Sequence, residues 1–128
     1  MEMENLVDVV AGDLAAAAEA LERLRSNPDA LNAIAAAGEL IAGSLRSGGK
    51  IMSCGNGGSL CDAMHFAEEM TGRFRNDRKP YAAVSISDAS HMSCVGNDYG
   101  YEFGFARYVE GVGRAGDVLL AISTSGTS

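Results

Sequence analysis

The chain has 128 residues, 47% of them hydrophobic, which is enough for one folded domain with a core and too few to expect two. Its net charge of −7 argues against a general binder of nucleic acid or of acidic membranes, because both rely on an excess of Lys and Arg. No run approaches the ~20 apolar residues of a membrane span, and Glu2 and Glu4 stand where a signal peptide has a basic start. We therefore expect a cytoplasmic protein.

Two successive segments near the N-terminus carry apolar residues at spacings of four and three, which predicts two amphipathic helices. The apolar positions are Val10, Leu14, Ala17, Leu21 and Leu24, then Leu31, Ile34, Gly38, Ile41 and Leu45. Asn27 followed by Pro28 predicts the start of the second helix, and Gly48 with Gly49 predicts its end. We expect residues 1–48 to form a helical hairpin whose stripes serve packing, within the chain or against another subunit.

From Lys50 onward, short apolar runs alternate with helical segments. Strands are predicted at 51–54, 81–86 and 118–122, and helices at about 59–70, 89–95 and 102–109. Strands separated by helices imply right-handed crossovers, so residues 49–128 are expected to form a parallel α/β core that binds ligands at the carboxyl ends of its strands. No helix follows the last strand to cover it, so we expect that a C-terminal part is missing or that another chain completes the core.

Two polar, glycine-rich loops directly follow the first and last predicted strands. One reads Gly-Asn-Gly-Gly-Ser at 55–59, and the other reads Ser-Thr-Ser-Gly-Thr-Ser at 123–128. Small residues at a strand end let backbone N–H groups and hydroxyls approach an anion, and a helix that starts there adds the positive end of its dipole. The loops predict a site that holds one phosphorylated ligand between them. Leu60 replaces the third glycine of a dinucleotide-binding motif, which argues against that class.

The helix after the first loop carries the residues best suited to chemistry. Ser59 and Asp62 resemble a capping box, and Asp62, His65 and Glu69 share one helix face at spacings of three and four. A histidine and a glutamate one turn apart are common on solvent-facing helices. Their place on the helix that begins at the glycine-rich loop favours a functional pair, and two ligands at i and i+4 can hold half of a divalent metal site.

Three other polar segments have simpler interpretations from the residues alone. Residues 87–88 are typical of a helix cap, and residues 97–98 are typical of a turn. The basic cluster at 73–79 follows Gly72, which reads as a helix C-cap. Its charges complement the helix dipole as solvated surface, with steering of an anionic ligand as the alternative.

Taken in order, these residues resemble the phosphoheptose isomerase family of the sugar isomerase (SIS) fold over nearly the whole chain. The two loops indicate the wider fold, and His65, Glu69 and the pair at 97–98 make the match specific. The resemblance implies an α/β three-layer sandwich with a parallel sheet, preceded by N-terminal helices, with 1–128 as a single domain. This domain would consist of N-terminal helices at 1–48 and an incomplete parallel α/β core at 49–128.

The resemblance implies an isomerase that converts sedoheptulose 7-phosphate to D-glycero-D-manno-heptose 7-phosphate through an enediol, the first step of ADP-heptose synthesis for the lipopolysaccharide core. Glu69 matches the family's catalytic acid/base carboxylate, and His65 with Glu69 matches half of a zinc site. The substrate-binding positions implied are Asn56, Gly57, Gly58, Ser59, Glu69, Asn97, Asp98, Ser123, Thr124, Ser125 and Ser128.

The resemblance also implies one zinc per subunit, whose other ligands, a glutamine and a histidine, come from a later helix outside this sequence. Family members are homotetramers with packed N-terminal helices and active sites between subunits. The C-terminal part expected to be missing would hold a second acid/base group, a histidine, and the rest of the metal site, so the truncated chain alone is expected to be inactive. The alternative is a non-catalytic SIS-type module that binds a sugar phosphate or a protein. Glu69 and the unbroken Ser-Thr-Ser-Gly loop favour the enzyme.

Overall fold

The computed structural model describes residues 5–128, so the acidic start at Glu2 and Glu4 lies outside the described residues. Two compact units are present, Met1–Glu39 and Leu40–Ser128. The boundary falls inside the second helix, nine residues before the division expected at 48–49, and the single-domain organisation stays a prediction. No helix in the described range is both long enough and apolar enough to traverse a bilayer.

The two N-terminal helices are α1, Leu6–Arg25, and α2, Pro28–Arg46. Asn27 begins α2 as predicted, because its Oδ1 accepts from the N–H groups of Asp29 and Ala30, both at 3.1 Å. The apolar stripes lie mostly open: Leu14 is 67% exposed and Ile34 57%. Nothing in α1 is buried within the described chain. This helix is therefore stabilised by helix propensity, by capping and by ion pairs such as Arg23 with Glu19, 2.8 Å apart, and not by burial of its own residues.

The second unit contains a three-stranded parallel sheet in the order β2–β1–β3. Its strands are β1, Ile51–Gly55, β2, Ala83–Ser85, and β3, Val118–Ile122. The central strand β1 is buried along its whole length because both edges are paired. In the register, Ile51 faces Val118 and Gly55 faces Ile122, so these two strands end level with each other. The parallel α/β core is confirmed.

The helices of this unit are α3, Gly58–Thr71, α4, Ala89–Asp98, and α5, Gly104–Val112, with a 3-10 turn at Tyr101–Phe103. Asp88 caps α4, accepting from the Ser90 hydroxyl at 2.6 Å and the His91 N–H at 2.7 Å, and these bonds lower its pKa. The turn expected at 97–98 lies instead at Gly100, whose φ of +114° suits glycine.

The predicted strand at 81–86 is shorter than expected. The N–H of Tyr81 donates to the carbonyl of Met70 at 3.0 Å, so the start of this segment closes the end of α3 rather than joining the sheet. Ile86 keeps one sheet bond, from its N–H to Ser53 at 2.7 Å. Buried Ser53 in turn donates its hydroxyl to the carbonyl of Ala63 at 2.7 Å, which ties β1 to α3.

Asp117 ties the starts of β1 and β3 together. Its carboxylate pairs with the Lys50 ammonium, accepts from the Lys50 N–H at 2.9 Å and accepts from the Arg114 N–H at 2.8 Å. These bonds, with those to Lys50 the largest, lower the pKa of Asp117 to about 2. The side chain is only 6% exposed, so bulk water does not replace its partners readily.

We expect Asp117→Asn to lower the free energy of unfolding near neutral pH. Because the folded-state pKa lies below the unfolded one, the carboxylate stabilises the fold fully above about pH 4 and loses this effect as pH falls toward 2. The variant should lack that decline, measured by urea unfolding from pH 2 to pH 7. Exposed Asp13→Asn is the control. Parallel pH profiles of wild type and Asp117→Asn would contradict this role.

Candidate functional site

The loop from β1 into α3 is shaped by close backbone approach. A Cβ on Gly55 would lie 2.6 Å from the carbonyl oxygen of Ser59, which no side chain tolerates. Gly57 has a φ of +56° and precedes the helix without a side-chain cap. The capping box predicted for Ser59 is therefore wrong: Ser59 is buried inside the first turn, 6% exposed. The start of α3 keeps its positive end toward the loop.

The loop after β3 gathers several hydroxyl groups at one place. Ser123 accepts from the Gly126 N–H at 2.9 Å, in a turn where Gly126 has a φ of +72°. The Ser125 hydroxyl oxygen lies 3.4 Å from that of Ser123 and 3.3 Å from that of Ser128. These groups are exposed and carry rotatable donors, so they can turn toward an anion without a buried charge.

The two loops meet in one cleft of about 580 Å³ at the carboxyl edge of the sheet. Of the predicted binding residues, Asn56, Ser123 and Ser128 line it. The remaining lining residues are Cys54, Gly55, Tyr101, Glu102, Phe105, Ala121 and Ile122. Burial raises the pKa of the Cys54 thiol, which disfavours the nucleophilic thiolate form. The cleft suits a ligand with one anionic end held by hydroxyls and a polar body.

Tyr101 is a cleft residue that the sequence patterns did not indicate. Its hydroxyl donates to Oδ1 of Asn56 at 2.7 Å, across 45 positions of chain. This bond occupies the amide oxygen and leaves the amide N–H groups of Asn56 to donate to a ligand. Glu102 beside it can accept from ligand hydroxyls and disfavours an anion nearby, so the anionic end belongs at the serine loop. Only the fold brings these segments together.

His65 and Glu69 line a second cleft, of about 410 Å³, on the side of α3. His65 Nε2 and Glu69 Oε1 are 3.1 Å apart, and their side chains are 71% and 32% exposed. The shared face predicted for them with Asp62 is present, and all three border this cleft. The walls are largely apolar and come from Phe66, Met70 and Phe74. A carboxylate with one apolar side and one open side suits proton transfer to a ligand.

His65 and Glu69 of this cleft, together with Glu68 outside its lining, fit part of a zinc site. The donor atoms of His65, Glu68 and Glu69 all lie within 4.8 Å of one another. Two donors bound to one tetrahedral zinc at about 2.0–2.1 Å are about 3.3 Å apart, close to the His65–Glu69 separation of 3.1 Å. Glu68 was not predicted, although it stands three residues after His65 on the same helix. Nitrogen and carboxylate oxygen are suitable zinc donors.

The two clefts are separate within one chain. From Gly58 to Glu69 the helix rises roughly 16 Å, and among the described residues the clefts share no lining residue. Asn97 and Asp98, at the end of α4, border neither cleft and bond to each other at 2.8 Å. The exposed hydroxyls of Thr124 and Ser125 lie in the serine loop but not on the cleft wall, and exposed Gly57 and Gly58 lie in the glycine-rich loop.

The sheet order, the two strand-end loops and the carboxylate-bearing helix together define a sugar isomerase type of domain. The chain matches the SIS domain family over residues 14–128 and belongs to that family. It is 60% identical to the phosphoheptose isomerase of Tolumonas auensis over 121 residues, and 58% identical to that of Proteus mirabilis. Each match covers 94% of this chain and 63% of the relative, so the chain spans about 63% of their length.

Solved structures give the same relationship. The phosphoheptose isomerase GmhA from Neisseria gonorrhoeae superposes with a TM-score of 0.88 at 42% identity, covering 97% of this chain and 64% of that one. A phosphoheptose isomerase from Francisella tularensis superposes with a TM-score of 0.86 at 33% identity, covering 96% and 64%. At these identities the likeness extends beyond the bare fold.

We expect Tyr101→Phe to release the side chain of Asn56 while changing the free energy of unfolding by less than about 1 kcal/mol, because one exposed hydrogen bond is lost. The side-chain amide order parameter of Asn56, measured by ¹⁵N relaxation, should fall below about 0.6. Tyr81→Phe removes a hydroxyl away from this cleft and should leave that value unchanged. An order parameter unaltered by Tyr101→Phe would show that Asn56 is held by other contacts.

Proposed function

We propose that this chain carries the substrate loops and the acid/base carboxylate of a phosphoheptose isomerase, which converts sedoheptulose 7-phosphate to D-glycero-D-manno-heptose 7-phosphate. The observation that carries the proposal is the cleft shared by the glycine-rich loop and the serine loop. Identities of 58–60% to proteins named phosphoheptose isomerase support the substrate class. The cytoplasm and heptose synthesis for lipopolysaccharide are the proposed setting.

The serine loop is proposed to hold the phosphate. The hydroxyls of Ser123, Ser125 and Ser128 form a connected group with the N–H of Gly126 pointing into it. Neutral donors of this kind bind a dianion without a buried lysine or arginine, and the start of α3 adds a favourable dipole. Thr124, in the same loop, is proposed as a further phosphate contact. Binding at this remote end fixes the position of the carbons that react.

The sugar body is proposed to lie along Asn56, with Gly57, Gly58 and Ser59 forming the loop that supports it. Tyr101 presets the Asn56 amide as a donor. Asn97 and Asp98 are proposed sugar contacts that reach the substrate only in the assembled enzyme, since in one chain they border neither cleft. An amide and carboxylates around a polyol supply both donors and acceptors for its hydroxyls.

Glu69 is proposed as the acid/base group. Its carboxylate removes a proton from C1 of the ketose, the electrons form the C1–C2 double bond, and the C2 oxygen takes a proton to give the enediol. Returning a proton to C2 while the C1 hydroxyl loses its proton gives the aldehyde at C1. Atoms and charge balance without a redox partner. The apolar wall of Phe66 and Met70 keeps water from competing for the proton.

The separation of the two clefts favours a site shared between subunits. One subunit would supply the loops at the sheet edge, and another would supply the face with Glu69. A homotetramer is the proposed assembly. Exposed apolar stripes on α1 and α2, such as Leu14 and Ile34, are suited to packing against other copies.

His65 and Glu69 would hold the proposed zinc, one per subunit, with Glu68 as a further donor. When bound, the metal supplies a Lewis acid that polarises a carbonyl oxygen of the substrate. The proposed remaining ligands are a glutamine and a histidine on a later helix, outside this sequence. Without metal, the His65 ring orients the Glu69 carboxylate through their 3.1 Å contact.

We expect Glu69→Gln to lower kcat of the intact enzyme by about 10²- to 10⁴-fold, because the amide cannot accept the proton. KM for sedoheptulose 7-phosphate should change little, since the phosphate loop is intact. Turnover is followed by formation of the aldose phosphate. Exposed Glu110→Gln, on α5, is the matched control and should keep wild-type turnover.

The same assay separates the enzyme from its alternative. A non-catalytic binding module would bind the sugar phosphate equally well in wild type and Glu69→Gln, with no turnover in either. Wild-type turnover that persists in Glu69→Gln would instead remove Glu69 from the mechanism. A calorimetric titration of both proteins with sedoheptulose 7-phosphate gives the affinities.

A further inference from the structure

Arg78 binds three backbone carbonyls at the end of α3, where the Thr71 hydroxyl also donates to the carbonyls of Ala67 and Glu68. The last carbonyls of any helix lack partners within the helix. Here Nη2 of Arg78 donates to the carbonyl of Glu69, and Nη1 donates to that of Met70 at 3.0 Å and to that of Gly72 at 3.4 Å. The guanidinium therefore binds the backbone of the residue whose carboxylate borders the second cleft.

The position of this guanidinium is itself supported. Its central carbon lies 4.5 Å from the ring centroid of Tyr81, a cation–π contact. The N–H of Tyr81 donates to the same Met70 carbonyl at 3.0 Å. Segment 78–81 therefore forms a bracket across the helix end. A lysine has one terminal nitrogen in place of the planar fork and cannot span several carbonyls in this way.

The bracket also controls the wall of the second cleft. Residues 72–77 run from the end of α3 to Arg78, and Phe74 within them borders the cleft beside Glu69. The segment is fastened at its start, where the Gly72 N–H donates to the Glu68 carbonyl at 2.7 Å. Arg78 fastens its other end. One side chain thus holds both the turn that carries the carboxylate and the loop that closes the cleft.

This arrangement corrects the sequence interpretation of the basic cluster for one member. Arg73 and Arg75 are exposed, in keeping with solvated surface. Arg78 is half-buried and bound to backbone carbonyls, so its donors are not available to steer an anionic ligand. Its charge does lie at the negative end of the α3 dipole, as the sequence interpretation expected, and a cation is stabilising there.

We propose that Arg78 is a positioning residue: it fixes the last turn of α3 and the Phe74 loop so that the Glu69 carboxylate is held at the reacting carbons. The inference rests on the proposed isomerase function. Misplacement of a catalytic group by about 1 Å costs about 10²-fold in rate, so loss of the bracket should act on the chemical step. Binding of the phosphate end, at the other cleft, should be spared.

The test is Arg78→Lys in the intact enzyme. We expect kcat to fall about 10- to 100-fold while KM for sedoheptulose 7-phosphate changes less than about threefold. Amide hydrogens of residues 69–72 should exchange at least about tenfold faster, because the last turn frays. The matched control is Arg107→Lys. Arg107 also stacks on a tyrosine, at 3.9 Å from the Tyr99 ring, and should change neither quantity.

Two results would overturn the inference. One is an unchanged kcat per folded site with only a lower unfolding midpoint, since Arg78 would then serve stability alone. The other is unchanged amide exchange at 69–72, since the bracket would then not hold the turn. Absence of turnover in the wild-type enzyme would instead reject the proposed function, and the exchange measurement would still decide whether Arg78 fixes the end of α3.

Discussion

The parallel pairing of β1 with β3 is the constraint on which the candidate binding site depends. Because Gly55 faces Ile122, the two strands end level, and the loops that follow them open into the same cleft. A slip of one residue would turn the alternating side chains of β3 to the opposite face and displace the serine loop by about 3.3 Å. Asp117 opposes such a slip at the other end of the strands, where it binds both the Lys50 side chain and its backbone.

Helix α3 links the position of β1 to the second cleft, because its residues pack on β1 and also line that cleft. Two alanines face the sheet, Ala63 and Ala67, and both are buried. Small side chains let the helix lie close to β1, where Ser53 reaches the carbonyl of Ala63. The direction of the helix is thereby set at its middle, so both of its ends, roughly 20 Å apart, depend on the same contact. A change at either alanine would move the loop at one end and Glu69 at the other together.

The sequence was sufficient for features that depend on local pattern. Short apolar runs located all three strands, and each binding loop was found because it follows a strand directly. Asn27 was identified as a cap from residue type and position alone, and Asp88 was one of two candidate caps, with Ser87 as the other. The capping box at Ser59 failed because the close approach of Gly55 draws that serine into the interior. Local pattern does not record which backbone segments will lie against each other.

The features that the sequence did not predict depend on contacts between segments that are far apart in the chain. Tyr101 meets Asn56 across 45 positions, and nothing in the spacing of either residue signals it. In the sequence, Arg78 was interpreted only as one member of a basic cluster. Its contact with the end of α3 depends on how the chain folds back after that helix. The separation of the two clefts was also not predictable from the order of motifs, which placed His65 on the helix that begins at the loop but did not show where that helix face lies in the fold.

That separation has a consequence for how activity relates to folding. Both clefts form on the second unit of a single chain, whose core is built around β1. The folded chain therefore forms two separate clefts, one bordered by the hydroxyl-bearing loop and the other by His65 and Glu69. The proposed isomerase needs the two clefts joined, and the proposed assembly of subunits would supply that junction. The exposed apolar residues of α1 are suited to packing in such an assembly.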